Sequence, residues 1–218
     1  MIIRRVEVGA YATNCYLVEQ NGTKVLIDPG DADGQVLPFL EKQDFIPEAV
    51  LVTHGHLDHY GDVPSICAAY DLPVWFPRDE VSYLAESDVQ GGPWNADKRD
   101  AFLKVLETNG RLVDHGDEIR IGEICFEARM IEHHSRAGMC LYNAENQVLF
   151  SGDNLFRGSI GRTDLYEGDT KGLCDGIRRQ LLTLPDDTKV YPGHGDATTI
   201  GVERRSNYYL THDPEALW

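Results

Sequence analysis

Four side chains that commonly bind metal ions occur within six consecutive positions of the stretch AVLVTHGHLDHYGDV, residues 49–63. They are His54, His56, Asp58 and His59. In an extended chain alternate side chains point the same way, so the imidazoles of His54 and His56 can reach one ion. Asp58 and His59 follow where the chain must turn toward a predicted helix, so their side chains point elsewhere and could bind a second ion.

Three more residues with metal-binding side chains follow other predicted strands. They are His134, Asp153 and His194. Open α/β sheets place their functional sites outside the carboxyl ends of the strands, so these groups would converge if the strand ends share one edge. Packing so many titratable groups together in a buried place is costly without a cation. The pattern therefore predicts a metal site.

The elements that must position these residues can be predicted from hydrophobic periodicity. The expected strands are 2–8, 15–19, 24–28, 49–53, 72–76, 124–131, 139–143, 147–151 and 189–191. The expected helices are 35–42, 63–69, 98–107, 171–182 and about 198–210. Strand pairs followed by helices, twice over, indicate a layered α/β fold. We expect one domain over residues 1–218, with a polar, helix-prone excursion at about 77–111 that could cover a cleft.

The bulk composition limits the classes of partner. The 218 residues carry a formal net charge of −16, which disfavours binding to nucleic acid or to an anionic membrane. The chain starts without a charged and then apolar leader, so we expect no signal peptide. Five scattered cysteines without a CxxC motif predict reduced thiols and a cytoplasmic protein. A small-molecule substrate is the expected partner.

The motif THGHLDH, followed by His134, Asp153 and the sequence PGHG, resembles the metallo-β-lactamase superfamily. Within it, the chain is most similar to the glyoxalase II-like hydrolases, also called hydroxyacylglutathione hydrolases. TNCYLV at 13–18 and VLIDPG at 25–30 resemble the opening strands of that family. SGDNLFRGSIGRTD at 151–164 resembles its segment with the bridging aspartate, and YPGHGDATTIGVERR at 191–205 resembles its segment with the last histidine.

The resemblance implies a four-layer αββα sandwich of two mixed sheets, with helices on the outer faces and a two-metal site on one edge. It assigns the first ion to His54, His56 and His134. It assigns the second ion to Asp58, His59 and His194, with Asp153 as the bridge between the ions. Asp28 matches a family position that supports the site without binding metal.

Two departures from the family pattern bear on function. The third histidine of the family usually lies in GHTPGS, whereas this chain reads HHSRAGM, with His133 in place of the glycine and Arg136 in place of the proline. His134 keeps the family spacing, and His133 is a backup ligand. Full-length glyoxalase II also has a helical carboxyl-terminal region that binds glutathione, whereas this chain ends soon after the His194 segment. The residues that usually bind glutathione have no counterpart, which argues against glutathione as part of the substrate.

Mixed imidazole and carboxylate ligands suit two zinc ions, with iron or manganese as alternatives. Two such ions would activate a water to a hydroxide that attacks an acyl carbon, with Asp58 both binding metal and orienting the nucleophile. The predicted activity is a metal-dependent hydrolase of the glyoxalase II type that cleaves a thioester. Arg162, Arg157 and Arg136 are candidates for binding an anionic substrate.

Three alternatives remain open. Iron-dependent persulfide dioxygenases have a similar pattern, including a GRTD stretch, and use one ion. Another hydrolase on this fold, such as a lactonase or a β-lactamase, would use the same ligands. A non-catalytic metal-binding or scaffold protein is the third, although a scaffold has no reason to keep all seven ligand positions filled.

Overall fold

Two six-stranded sheets form the centre of the molecule. The computed structural model describes residues 1–30, 33–86 and 96–212. The first sheet contains, in spatial order, β1 (Ile2–Val8), β2 (Thr13–Gln20), β3 (Thr23–Ile27), β4 (Ala49–Leu51), β5 (Val74–Pro77) and β6 (Gly110–Val113). Its strands β1 to β3 pair antiparallel, and β3 to β6 pair parallel. The sheet is therefore mixed, as predicted.

The second sheet is also mixed. Along the chain it contains β7 (Glu118–Ile121), β8 (Ile124–Ile131), β9 (Gly138–Asn143), β10 (Val148–Gly152), β13 (Lys189–Pro192) and β14 (Thr198–Thr199). A separate hairpin of β11 (Leu155–Phe156) and β12 (Ser159–Ile160) follows β10. Strands β10 and β13 are parallel neighbours, while the other pairs of this sheet are antiparallel.

Helices cover the outer face of each sheet. The described helices are α1 (Val36–Lys42), α2 (Leu57–Tyr60), α3 (Val63–Tyr70), α4 (Glu80–Ala85), α5 (Ala96–Asn109), α6 (Thr170–Gln180), α7 (Ile200–Ser206) and α8 (Tyr208–Thr211). Apolar residues of α1, α3 and α5 pack on the first sheet, and those of α6 and α7 pack on the second. The predicted four-layer αββα sandwich is confirmed. Within the described ranges, no helix has the length and apolar character needed to cross a bilayer.

The two-residue periodicity of the strands builds these layers. In β3, Val25 and Ile27 point between the sheets, where they pack in one cluster with Phe126 and Phe150 of the second sheet. Leu26, between them, points to the opposite face and packs in the cluster that contains the helices. All of these side chains are fully or almost fully buried. Since alternate residues of a strand face opposite sides, one apolar strand contributes to two cores.

The carboxyl-terminal segment differs from the single helix expected at 198–210. The segment begins with strand β14 and continues as two short helices separated at Asn207. Asn207 has an extended backbone, with φ −70° and ψ 119°, and its side chain accepts a hydrogen bond from the backbone N–H of Tyr209. An N-cap of this kind starts a new helix. The apolar periodicity continues across this break, and for that reason periodicity alone predicted a single helix.

The predicted excursion at 77–111 contains a crossover between two parallel strands. Helices α4 and α5 connect β5 to β6, and Phe102 of α5 is fully buried in the core of the first sheet. Residues 87–95, which form part of the expected cleft cover, lie outside the described residues. Strands β6 and β7 were not expected, because they are short and carry charged residues.

Phe102 provides a test of this packing. Its ring stacks on Tyr60 at a centroid distance of 4.5 Å and meets Phe76 edge-on at 5.3 Å. Phe102→Ala should lower the free energy of unfolding by about 3–5 kcal/mol, because it leaves a cavity in a close-packed core. Urea unfolding measures the change. The exposed Lys104→Ala on the same helix should change stability by less than about 0.5 kcal/mol, and an equal effect of both variants would contradict the packing account.

Candidate metal centre

The predicted ligand residues all lie just beyond the carboxyl ends of strands. His54 and His56 follow β4, and His56 is the N-cap of the short helix α2. Asp58 and His59 lie in the first turn of that helix, where consecutive residues point in different directions. The remaining three, His134, Asp153 and His194, follow β8, β10 and β13 of the second sheet. The two sheets therefore contribute to one site.

Backbone hydrogen bonds join the two sheets at this edge. The N–H of Met139 donates to the carbonyl of Thr53 at 2.8 Å. The N–H of Asn14 in β2 donates to the carbonyl of Gly193 at 2.7 Å, and within the second sheet the N–H of Gly193 donates to the carbonyl of Gly152 at 2.8 Å. These bonds fix the positions of the loops that carry the candidate ligands.

Three imidazoles form what we call the first ligand set, namely His54, His56 and His134. The Nε2 atom of His54 is 2.9 Å from Nδ1 of His56 and 3.3 Å from Nε2 of His134. One ring nitrogen from each residue lies within 4.8 Å of the others. Three nitrogens this close can bind a single ion in common.

The second ligand set consists of Asp58, His59 and His194. The Oδ2 atom of Asp58 is 3.4 Å from Nε2 of His59 and 3.2 Å from Nε2 of His194. One ligand atom from each of these residues also lies within 4.8 Å of the others. The structure thus places Asp58 and His59 apart from His54 and His56, as the change from strand to helix requires.

Asp153 lies between the two sets. Its Oδ2 atom is 3.6 Å from Nε2 of His134 and 3.3 Å from Nε2 of His194. Its Oδ1 atom is 3.4 Å from Nε2 of His59. One carboxylate therefore contacts an imidazole of the first set and two of the second, which is the placement that a bridging ligand needs.

The second nitrogen of each imidazole has a polar partner outside the cluster. The pairs are His54 Nδ1 with Thr53 Oγ1 (3.0 Å), His56 Nε2 with Tyr83 Oη (3.1 Å), His59 Nδ1 with Asp28 Oδ2 (3.0 Å), His134 Nδ1 with the carbonyl of Arg162 (2.9 Å) and His194 Nδ1 with the carbonyl of Tyr11 (3.1 Å). Partners of this kind fix the tautomer and the orientation of a metal-binding histidine. The inward nitrogens are thereby presented to the centre of the site.

Asp28 occupies the supporting position that the family resemblance implies. It has a left-handed backbone with φ 48°, just after β3 ends. The backbone N–H of Thr53 donates to its Oδ1 atom, and the hydroxyl of Thr53 donates to its Oδ2 atom, both at 2.8 Å. Oriented in this way, Asp28 contacts the Nδ1 atom of His59 and is not part of the inner cluster.

The first ligand set is neutral at pH 7. Burial lowers the pKa of His54, His56 and His134, and neighbouring imidazoles lower it further. The pKa of His56 falls to about 3. A neutral imidazole keeps a lone pair on one nitrogen, which is the form that binds a metal ion.

The second ligand set holds protons in the absence of a cation. Burial alone would lower the pKa of His194, but the carboxylates of Asp153 and Asp58 outweigh it and raise that pKa to about 10. Burial would also lower the pKa of His59, but the carboxylates of Asp58 and Asp153 outweigh this effect and raise that pKa well above its usual value. Burial would raise the pKa of both carboxyl groups, but the charge on His59 lowers both. Protonated imidazoles thus take the place of a cation.

Two polar atoms inside the cluster lack a hydrogen-bond partner among the described residues. They are Nε2 of His59 and Oδ1 of Asp153, and both are fully buried. An unsatisfied buried polar atom costs about 1–3 kcal/mol, so such atoms need an explanation. Both atoms point at the centre of the cluster, and a divalent cation would satisfy both. The donor set therefore fits the metal ions that the sequence predicts.

His133, the backup ligand, points away from the cluster. Its backbone is left-handed, with φ 86°, and its ring packs on Gly172 near the start of α6. A Cβ atom at position 172 would lie 2.3 Å from that ring, so the glycine makes room for it. None of the groups of close ligand atoms among the described residues includes His133.

The three candidate arginines are paired with carboxylates. Arg162 makes two hydrogen bonds to Asp164, and Arg157 lies 3.5 Å from Asp196. Both arginine side chains remain more than half exposed. Arg136 contacts two acidic groups, Glu86 at 3.0 Å and Glu167 at 2.7 Å, and is therefore held by the protein itself.

Several supporting residues were not found from the sequence. Thr13 donates its hydroxyl to Oδ2 of Asp58 at 2.8 Å, Tyr83 contacts His56, and Glu80 accepts hydrogen bonds from the backbone of two ligand loops. These residues lie 25 to 57 positions from their partners. No local spacing pattern marks such contacts, although Thr13 lies in the TNCYLV stretch that resembles an opening strand of the family.

Comparison with known proteins agrees with this geometry. A family model described as metallo-beta-lactamase superfamily matches residues 8–194. The chain is 32% identical to a probable metallo-hydrolase YqgX of Bacillus subtilis, over 95% of this chain and 96% of that protein. It is 34% identical to the hydroxyacylglutathione hydrolase GloC of Haemophilus influenzae, over 96% of this chain and 98% of that protein.

Solved structures with the same fold include proteins of similar length. BLEG-1 B3 metallo-beta-lactamase superposes with a TM-score of 0.82 at 31% identity, covering 97% of this chain and 100% of that chain. TTHA1623, whose structure is in a di-iron-bound form, superposes with a TM-score of 0.77 at 34% identity, covering 95% of this chain and 100% of that chain.

The protons of the second ligand set give a prediction for metal binding. Because nearby carboxylates raise the pKa of His194 to about 10 and that of His59 well above its usual value, both rings must lose a proton before they can bind an ion. Loading with Zn²⁺ at pH 7 should therefore release roughly one to two protons per chain. Calorimetric titration in buffers of different ionisation enthalpy measures that number.

The same linkage fixes the direction of the pH dependence. The apparent affinity for Zn²⁺ should rise as the pH increases from 6 to 8, because the competing protons become easier to remove. His194→Ala should release fewer protons than the unsubstituted chain. Binding without proton release at pH 7 would contradict the protonation states described above.

Proposed function

The chain belongs to the metallo-β-lactamase superfamily and is a metal-dependent hydrolase, and from this premise we propose that it binds two divalent ions and hydrolyses a thioester of the hydroxyacylglutathione type. The observation that supports two ions most directly is the position of Asp153, with carboxylate oxygens 3.6 Å from His134 and 3.3 Å from His194. A site for one ion would not need this carboxylate between two separate groups of ligands.

The choice of metal follows from the ligand chemistry. Five imidazoles and two carboxylates suit zinc, iron and manganese better than calcium or magnesium, which prefer all-oxygen sites. The similarity to TTHA1623, a protein with a di-iron-bound structure, supports a pair of ions and keeps iron as an alternative. Zinc remains our first proposal because tetrahedral sites with several histidines are typical of it.

The chemistry of such a pair is known in general terms. When bound, two divalent ions lower the pKa of a water toward about 7 and polarise a carbonyl group. We assign the orientation of the attacking water to Asp58 because its side chain is 19% exposed, whereas that of Asp153 is only 10% exposed. The hydroxyl of Thr13 donates to Oδ2 of Asp58 and fixes the carboxylate in that position.

A thioester is the substrate class that this site can cleave with the fewest additional groups. A thiol has a pKa near 8.5, so a thiolate can leave without a separate proton donor. The similarity to GloC, a hydroxyacylglutathione hydrolase covered over 98% of its length, supports this class. It also supports a glutathione moiety in the substrate.

A groove beside the ligands provides a place for the rest of the substrate. Its volume is about 620 Å³, and its lining includes Phe156, Arg162, Thr163 and Tyr209. Gly161, also in the lining, packs against the ring of His134, so the groove lies next to the first ligand set. Arg162 is exposed there and could exchange Asp164 for a carboxylate of the substrate.

The surface charge supports a small-molecule substrate. With a net charge of −16, the protein would repel phosphate backbones and anionic lipid headgroups. All five cysteines are free thiols, as expected of a protein that works in a reducing cytoplasm. We therefore propose a cytoplasmic enzyme without nucleic-acid or membrane partners.

Hydrolysis of β-lactam rings is the second candidate. It is favoured by the similarity to BLEG-1, a B3 metallo-beta-lactamase that is covered over its full length. The same ligand sets would serve, because a β-lactam also presents an acyl carbon to an activated water. Assays of a β-lactam and a thioester on the same enzyme preparation separate the two activities.

Asp153 provides the most direct mutational test of the two-ion site. Asp153→Ala should remove both ions and reduce thioester hydrolysis to background, because both ligand sets lose a shared carboxylate. Elemental analysis and the assay on one preparation measure both effects. Retention of two ions and full activity would refute the bridging role, and a circular dichroism spectrum would verify that the variant is folded.

Metal content and substrate class test the proposal as a whole. Protein purified without chelator should contain about two ions per chain and hydrolyse S-lactoylglutathione. One iron per chain, together with oxygen consumption on a glutathione persulfide, would instead identify a persulfide dioxygenase. Metal-free protein that is inactive on every substrate and does not recover with zinc, iron or manganese would favour a non-catalytic role.

A further inference from the structure

Glu80 is a fully buried carboxylate at the start of α4 that lies outside both ligand sets. Its Oε2 atom accepts a hydrogen bond from the backbone N–H of Gly55 at 2.8 Å. Its Oε1 atom accepts one from the backbone N–H of Ala137 at 2.6 Å. A buried carboxylate is expensive unless it is hydrogen-bonded, so a side chain held in this way indicates a specific role.

The two loops that Glu80 joins are those that carry the first ligand set. Gly55 lies between His54 and His56, and Ala137 follows His134 by three residues. These loops come from different sheets and are about 80 residues apart along the chain. Glu80 thus connects, through backbone N–H groups, the two segments whose separation determines how closely the three imidazoles approach one another.

Gly55 is required for this contact. A Cβ atom at position 55 would lie 2.8 Å from Oε2 of Glu80 and 3.3 Å from the side chain of Leu84. The glycine therefore allows α4 to approach the loop between the first two histidines. The glycine of the sequence HGH therefore serves the packing of α4 as well as the spacing of the two imidazoles.

The rest of α4 contacts the same ligands. The hydroxyl of Tyr83 lies 3.1 Å from Nε2 of His56, the nitrogen that faces away from the cluster. Arg136, two residues beyond His134, donates to the hydroxyl of Ser82 at 2.8 Å and lies over the ring of Tyr83 at 5.9 Å. Side chains of α4 therefore contact both segments of the first ligand set, at two backbone N–H groups and at the ring of one candidate ligand.

The second ligand set is supported by other parts of the fold. Asp28 contacts His59, the carbonyl of Tyr11 contacts His194, and Thr13 donates to Asp58. All three supports lie in the first 28 residues of the chain, in or near strands β1 to β3. These supports lie in a different part of the chain from α4, and one of them, Asp28, also reaches His54 of the first set through Thr53.

We propose that Glu80 is a positioning residue that sets the metal affinity of the first ligand set alone, with Tyr83 of the same helix supporting it. The inference rests on the proposed two-ion site but concerns metal affinity and not the reaction. Its test therefore measures metal binding, and an unsubstituted chain that binds no ion would refute the proposed function instead.

The experiment isolates each set before substituting Glu80. His194→Ala removes a ligand of the second set and leaves the first intact, and His56→Ala does the reverse. Glu80→Gln, which keeps the shape but turns an amide N–H toward a backbone N–H, is then added to each. Competition with a chromophoric chelator measures the Zn²⁺ affinity. We expect a loss of about 10–100-fold in the His194→Ala background and less than about threefold in the His56→Ala background.

Two further variants make the result specific. Thr13→Val should show the opposite selectivity, because its hydroxyl donates to Asp58 of the second set. Glu86→Gln, a more exposed change directly after α4 that affects contacts with Arg136 and Tyr166 and none with a candidate ligand, should alter neither affinity. Equal weakening of both sets by Glu80→Gln would indicate general loosening and overturn the inference, as would no change in either.

Tyr83→Phe keeps the inference testable if Glu80→Gln does not fold. Loss of the hydroxyl removes the partner of Nε2 of His56 and leaves the ring in place. The variant should weaken Zn²⁺ binding in the His194→Ala background only. An unchanged affinity there, or equal weakening in both backgrounds, would overturn the assignment of α4 to the first ligand set.

Discussion

Asp153 is an ionised carboxylate at a buried position where desolvation would favour its protonated form. The positive charge on His59 holds it ionised in the metal-free protein, and a hydrogen bond from His194 contributes. The nearby carboxylates in turn raise the pKa of His59 and of His194. In the metal-free protein the protonated imidazoles therefore balance the negative charge of the carboxylates. A group of this kind is stable only with a cation or with protons in its place. The surrounding hydrogen bonds hold Asp153 close to His59 and His194.

The sandwich fold achieves this by bringing together the carboxyl ends of strands from two sheets. The first sheet supplies His54, His56 and the start of α2, while β8, β10 and β13 of the second sheet supply the other three ligands. Backbone hydrogen bonds between the sheets, such as that from Asn14 to Gly193, lie directly beside the ligands. The apolar layer between the sheets is closely packed, so the distance between the ligand loops is set by the same cores that stabilise the fold.

The two ligand sets differ in charge as well as in support. The first is composed of neutral imidazoles, and the second contains a carboxylate, Asp58, that reaches toward solvent. Two ions in these surroundings would be inequivalent, one held by nitrogen atoms and one beside an ionised oxygen. If ions are bound, the first ligand set would hold one with neutral imidazoles, and Asp58 of the second set would present its carboxylate beside the other.

The ligand residues were identifiable from the sequence because they follow predicted strands and because His54, His56, Asp58 and His59 are adjacent in the chain. The layered fold was also predictable, since apolar periodicity marks the long buried strands. The residues that support the ligands were not predictable from the sequence. Glu80, for example, accepts hydrogen bonds from backbone N–H groups far away in the chain, and any residue type can provide such a group. The short charged strands β6 and β7 and the helix break at Asn207 were missed for a related reason. Periodicity reports burial, whereas these features depend on tertiary pairing and on a single cap.

The most direct measurement of the central claim is anomalous diffraction from crystals of the chain loaded with zinc or iron. The account predicts two peaks on opposite sides of Asp153, each about 2.0–2.2 Å from one of its oxygen atoms. One peak should have His54, His56 and His134 as further ligands, and the other should have Asp58, His59 and His194. A single peak, or two peaks that do not share the carboxylate of Asp153, would contradict it.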